Sequence, residues 1–328
     1  MFGWLCNKFP SLFKRHASFD SCSKSNNRIN SHDIREMIQR FLQDASIEVM
    51  PRTLQKVHQD FPDMFPKGMM VYVAHIEGTP IQDMQEAVSY LVKAGFQAIP
   101  HIPARSVRDM GVFEEWVRMY HDCGVSRALL LAGGNSQPVG QFASSLPLLE
   151  SGMLEKYDYT HVYVAGHPEG NKDIDPDGSN NNAKEFLRKK FAYAEQSPLH
   201  MEITTQFCFD GEGAYNWLSE LRRDGITLPV HFGVAGPTKL SSLMKYAIMC
   251  GVGPSMKVLQ KRSLDVANLM LSFEPDEFLY DLFAYYIDDE EKANMGSIHI
   301  FPLGGIKQSA IWIARMLGDE ERVRRLNV

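Results

Sequence analysis

Short β-branched or apolar runs alternate with longer amphipathic ones from Ala45 to the end of the chain, the pattern of parallel strands joined by crossover helices. The strand candidates are Ser46–Met50, Met69–Ile76, Ala98–Ile102, Ala128–Ala132, His161–Gly166, Met201–Phe209, Pro229–Val234 and Ser297–Leu303. Between them apolar residues recur at helical spacing, as at Met84, Ala87, Val88, Leu91 and Val92, then Phe113, Trp116, Val117 and Tyr120. A helix over Asp33–Leu42, opened by Asp33 and Glu36 in a weak capping-box variant, precedes the first strand and is expected to cap the barrel bottom. Three more helices are expected between strands seven and eight, in LSSLMKYAIMCGV, Met256–Leu271 and Pro275–Ile287. The pattern predicts an α/β chain folded as one (β/α)8 TIM barrel over residues 33–328, with an N-terminal extra helix and extra helices between strands seven and eight.

Residues 1–32 break the pattern. Within the first thirty residues Lys8, Lys14, Arg15, Lys24 and Arg28 face only Asp20, with five serines interspersed. A flexible tail and a cytoplasmic protein are the simpler reading; an organelle transit peptide, and hence an organelle matrix, is the alternative.

Composition narrows the partners. The 328 residues are 44% hydrophobic and 23% charged, enough for a large core, and the net charge of −6 offers no basic footprint for nucleic acid or an anionic membrane. The longest apolar run, MMVYVAHI from Met69, is too short to span a bilayer. Cys6, Cys22, Cys123, Cys208 and Cys250 lack metal or redox spacing and read as buried thiols. A small-molecule substrate fits this balance best.

The strand ends supply a polar ring: Glu48, His75 with Glu77 and Thr79, His101, Gly133–Asn135, His167 with Glu169, Gln206 with Asp210, His231 and His299. Barrel enzymes keep their chemistry at this rim. Glu48 is the most informative, because SIEVMP puts a carboxylate inside an apolar strand, where burial raises its pKa toward that of a general acid. Gly133 and Gly134 offer backbone that a flat ligand can approach closely. Two loops, GGNSQP after strand four and HPEGNKDIDPDGSNNN after strand five, are long and turn-rich as functional loops are. Arg188, Lys189 and Lys190 in the following helix suit a phosphate or pyrophosphate, or else a solvated helix face. No three residues of the ring have a spacing that demands a metal.

SIEVMP, HIPAR, LLLAGG, VAGHPE, ITTQFCFD and HIFPL, in that order and at strands one, three, four, five, six and eight, resemble the methylenetetrahydrofolate reductase family of flavin-dependent barrel enzymes. The resemblance covers roughly Ala45 to Ile313. It implies FAD as cofactor, a folate substrate and interconversion of 5,10-methylene- and 5-methyltetrahydrofolate. Glu48 falls on the family's catalytic acid, Gln206 on the residue that contacts the pterin, and Asp210 closes the same motif. Thr79, His101, Ala132, Gly133, Gly134, His167 and the Arg188–Lys190 cluster fall on or near positions that hold FAD. The resemblance leaves the electron partner open among NADH, NADPH and a redox protein, and implies a homo-oligomer.

Two departures shape the expectation. Where the family's strand-four loop reads Arg-Gly-Asp, this chain has Ala132-Gly133-Gly134, and an aromatic before Pro-Glu in strand five is His167. Losing a carboxylate about 4–8 Å from the flavin, at an effective dielectric of about 20, is worth roughly 2–4 kcal/mol. That is on the order of 40–90 mV of higher potential, which favours oxidation of 5-methyltetrahydrofolate. The alternative reading is an FAD- or folate-binding homologue without stand-alone reductase activity that needs a partner protein. A barrel methyltransferase acting on the same folate is a third, but no zinc ligand set is evident for it.

Overall fold

Eight parallel strands close into a barrel: β1 (Ser46–Val49), β2 (Met70–Val73), β3 (Gln97–Pro103), β4 (Arg127–Leu131), β5 (His161–Gly166), β6 (His200–Cys208), β7 (Val230–Ala235) and, last in the chain, Met295–Phe301, which pairs with both β7 and β1. The computed structural model describes residues 31–249, 272–289 and 293–327. The tail up to residue 30, the helix expected over Met256–Leu271, and Cys6, Cys22 and Cys250 lie outside the described residues.

The (β/α)8 barrel expected from the alternation is the fold observed. Outward residues such as Ile47, Val49, Val71, Val73, Val162, Val164 and Ile203 form one core with the helices, while Tyr72, Ile99, Leu129 and Tyr163 form a second cluster inside the barrel. This period-2 division is what alternation on a pleated strand imposes.

Some boundaries moved. Pro51 opens a helix at Pro51–Gln55 and ends β1 before Met50. The last barrel strand starts two residues earlier than expected, with its register against β7 broken between Met295 and Ile298. A pair that the hydrophobic pattern did not signal, β8 (Thr238–Lys239) and β9 (Ser272–Phe273), runs antiparallel; the last barrel strand is therefore β10. Two helices, Leu240–Met249 and Asp276–Tyr286, are described between β7 and β10.

The helix Ser31–Gln43 packs against the helices of the outer layer. Its Phe41 ring meets Phe283 and Tyr286 at 5.1 and 5.4 Å, and its Ile34, Ile38 and Leu42 are buried. An apolar stripe this wide needs neighbouring helices to cover it. Among the described residues no helix is long and apolar enough to cross a membrane.

Candidate active site at the barrel mouth

Alternation along β1 turns Ser46 and Glu48 to the same, inward face, and Glu48 reaches the mouth with 21% of its side chain exposed. Its Oε2 lies 3.5 Å from His101 Nε2 and 3.8 Å from His299 Nε2. Burial pushes the Glu48 carboxyl above the usual carboxylate range, and His101 offsets this only in part. Burial also pushes His101 down to about 4 and His299 down to about 3. Both imidazoles are therefore neutral at pH 7, so Glu48 faces dipoles rather than cations. Burial, with no cation to offset it, keeps a proton on this carboxyl group at higher pH than water would.

The strand-four loop is shaped from its neighbour. Arg105, in the 3-10 turn Ala104–Ser106 after β3, donates its backbone N–H to Ala132 O (2.8 Å) and its guanidinium to Asn135 O and Ala143 O (both 3.1 Å). Gly133 has φ +93, and a Cβ there would stand 2.8 Å from Pro103 Cβ, so only glycine fits. At Gly134 a Cβ would meet nothing within 4 Å. Gly133 is thus required by its own backbone, whereas Gly134 borders open space.

The three cations after strand five do not act together. Arg188 pairs with Asp224 at 2.8 Å and Lys189 with Glu185 at 3.6 Å, both on exposed positions of the helix Asn181–Ala194. Lys190 alone turns inward, 8% exposed, and burial pulls its ammonium down to about 8. Burial, with the nearby Lys190, pushes His167 down to about 4, and its Nδ1 is buried without a hydrogen-bond partner. Asp175 in the strand-five loop accepts from the backbone N–H groups of Asn182 (2.8 Å) and Ala183 (3.0 Å). The N-terminus of that helix therefore already holds a carboxylate.

On β6 the register against β7 breaks between Thr204 and Phe207, a bulge that leaves Gln206 half-exposed, its Oε1 accepting from Phe207 N at 3.0 Å. Asp210 caps the helix Gly211–Arg223 by accepting from Gly213 N, and Glu169 Oε1 accepts from Phe209 N (2.7 Å) and Asp210 N (3.2 Å). Thr79 is half-buried beyond β2, where its carbonyl accepts from His75 Nε2 at 3.1 Å.

One member of the expected ring belongs elsewhere. His231 is the second residue of β7, hydrogen-bonded to Glu202 through Nε2 and to Ser297 through Nδ1 at 2.9 Å. It lies near the amino ends of the strands, because a residue's height in a parallel barrel follows from where its strand begins. Ser297–His231–Glu202 near the floor and Ser46–His299–Glu48 near the mouth both bring serine, histidine and carboxylate together. Ser297 and Ser46 are 2% and 0% exposed, so neither hydroxyl meets a substrate as a nucleophile. Among the described residues no group of His, Cys, Asp and Glu is placed to hold a metal ion.

No protein-family model matches the chain. Among solved structures, phosphoenolpyruvate phosphomutase from Streptomyces platensis subsp. rosaceus is similar at 9% identity, covering 81% of this chain and 79% of that one with a TM-score of 0.41. The chemistry of the mouth rests on this chain's own residues: a (β/α)8 barrel with a half-buried acid at its carboxyl rim and an inward lysine beside a neutral histidine.

Proposed function

We propose that this chain is a flavin-dependent oxidoreductase of the methylenetetrahydrofolate reductase type, interconverting 5,10-methylene- and 5-methyltetrahydrofolate. The observation that carries the reading is Glu48, an acid of raised pKa at the barrel mouth between two neutral histidines, in a chain whose strand-end motifs resemble that family.

The residues present suit FAD. Lys190 is a buried cation with no anion beside it among the described residues, His167 Nδ1 has no partner, and Gly134 leaves open space at the rim. Thr79, His101, Ala132, Gly133, His167 and Lys190 would hold the cofactor, with Lys190 meeting its phosphates. Arg188 and Lys189, engaged in outer ion pairs, would shape the field there without touching it. Bound FAD supplies two-electron hydride chemistry between the one-carbon unit and an electron partner.

Glu48 handles the proton. It donates to the folate ring nitrogen as the five-membered ring opens, and takes a proton back in the oxidative direction. Gln206, half-exposed on its bulge, orients the pterin; Asp210 acts by holding the start of its helix. Gly134 in place of an aspartate favours oxidation of 5-methyltetrahydrofolate.

An anaerobic visible spectrum tests the reading. Bound flavin bleached by 5-methyltetrahydrofolate supports it; a colourless protein that cannot take up FAD overturns it. The second reading, a flavin- or folate-binding homologue that needs a partner, is favoured by the open space at Gly134. Stoichiometric FAD that NADH, NADPH and methyltetrahydrofolate all leave oxidised would select it.

A further inference from the structure

The histidine beneath Glu48 is held more tightly than packing alone requires. Ser46 and His299 sit directly opposite each other on β1 and β10. Ser46 Oγ and His299 Nδ1 are 2.8 Å apart, and both residues are sealed from solvent. The imidazole is also held edge-on by the rings of Tyr72 at 4.5 Å and Phe301 at 4.8 Å. Its remaining nitrogen, Nε2, lies 3.8 Å from Glu48 Oε2.

The proton positions follow from what the buried groups require. The Ser46 hydroxyl carries one proton, and His299 Nδ1 is its hydrogen-bond partner. If Nδ1 carried the ring proton, that hydroxyl proton would be left buried and unpaired, at a cost of about 1–3 kcal/mol. Ser46 therefore donates to Nδ1, and the neutral ring carries its proton on Nε2, facing the carboxyl.

We propose that His299, locked by Ser46, is a positioning residue for Glu48, turning an N–H toward the carboxyl to set its orientation and its hold on the proton. The groups that face the carboxyl are His101 from β3 and His299 from β10, with Tyr72 opposite in register on β2 but its hydroxyl 3.0 Å from Thr204 Oγ1. An N–H aimed at a carboxylate favours the charged form and counters the effect of burial. Ser46 and His299 thereby lower the pH at which the acid gives up its proton. The role of Glu48 as an acid rests on the function proposed above, but the coupling between these three side chains does not.

The experiment is an infrared pH titration of the full chain, following the carbonyl band of the protonated Glu48 carboxyl, assigned by its loss in Glu48→Gln. Ser46→Ala and His299→Leu are expected to raise the midpoint by about one pH unit. His299→Gln, which keeps an N–H donor, is expected to stay near wild type. Ser46→Ala removes one hydroxyl and carries the test if His299→Leu does not fold. An unchanged midpoint in Ser46→Ala overturns the proposal, whatever the folate assay shows. A raised midpoint in a protein that takes up no FAD upholds the coupling and removes only the flavoenzyme reading.

Discussion

Lys190 lies close enough to His167 that its charge helps to depress the histidine's basicity, and neither side chain meets a carboxylate among the described residues. A buried cation left in this state is costly unless a ligand completes it. Lowered from 10.5 to about 8, the ammonium costs on the order of 3 kcal/mol at neutral pH. The penalty is full below about 8, where the folded ammonium is charged, and fades as pH rises toward the unfolded value.

Lys190→Met is therefore expected to stabilise the ligand-free protein by about 1–3 kcal/mol at pH 7, with the gain shrinking above pH 8. The same variant should lose most of its FAD affinity. Urea melts at two pH values and a flavin titration read both effects; a destabilised variant would show that Lys190 has a partner that satisfies it.

Glu48 gives the opposite signature. A carboxyl with a raised folded pKa holds its proton more tightly folded than unfolded, so folding stability falls as pH rises through the window between the two values. Glu48→Gln should raise the melting temperature at pH 8 and leave it near wild type at pH 4, while abolishing turnover with folate. Equal effects at both pH values would show that the carboxylate is satisfied in the folded state.

Adjacent glycines should answer differently to substitution. Gly133→Ala meets Pro103 and a positive φ, and is expected to cost about 1–3 kcal/mol. Gly134→Ala should stay within about 0.5 kcal/mol of wild type. Gly134→Asp should fold equally well and, with flavin bound, lower the potential by on the order of 40–90 mV. Spectroelectrochemistry decides the last point, and an unchanged potential would detach Gly134 from the direction of the reaction.

Acid should unfold the protein steeply. His101 and His167 titrate at about 4 and His299 at about 3 in the fold, well below the ordinary value of about 6.5. Near pH 5.5 the unfolded chain binds about three protons that the folded chain refuses, so stability should rise by up to about 4 kcal/mol per pH unit there. Denaturation from pH 5 to 6 measures the slope. His167→Gln should reduce it by about one proton, and an unchanged slope would show that His167 is solvated.

Much of this was legible in the chain because it depends on local order. Alternation along SIEVMP marked Glu48 as an inward carboxylate, and the alternation of strand and helix patterns marked the barrel. Arg188, Lys189 and Lys190 read in the sequence as one cluster, although successive helical residues turn by about 100° and three in a row do not share a face. Sequence alone did not say which of them turns inward. That depends on how the helix packs, and the structure selects Lys190.

The sequence by itself determined the fold class and the inward carboxylate of the first strand, because these follow from periods of two and of 3.6 residues. Only the tertiary structure decided the partners. Ser46 meets His299 across 253 positions of sequence, and His231 leaves the rim to bond Glu202 and Ser297. Arg105 holds a loop some 30 residues further on. Such pairings are set by barrel closure and by the register between strands, which no local pattern encodes. The environment of each buried group, and hence the proton it holds or refuses, follows from them.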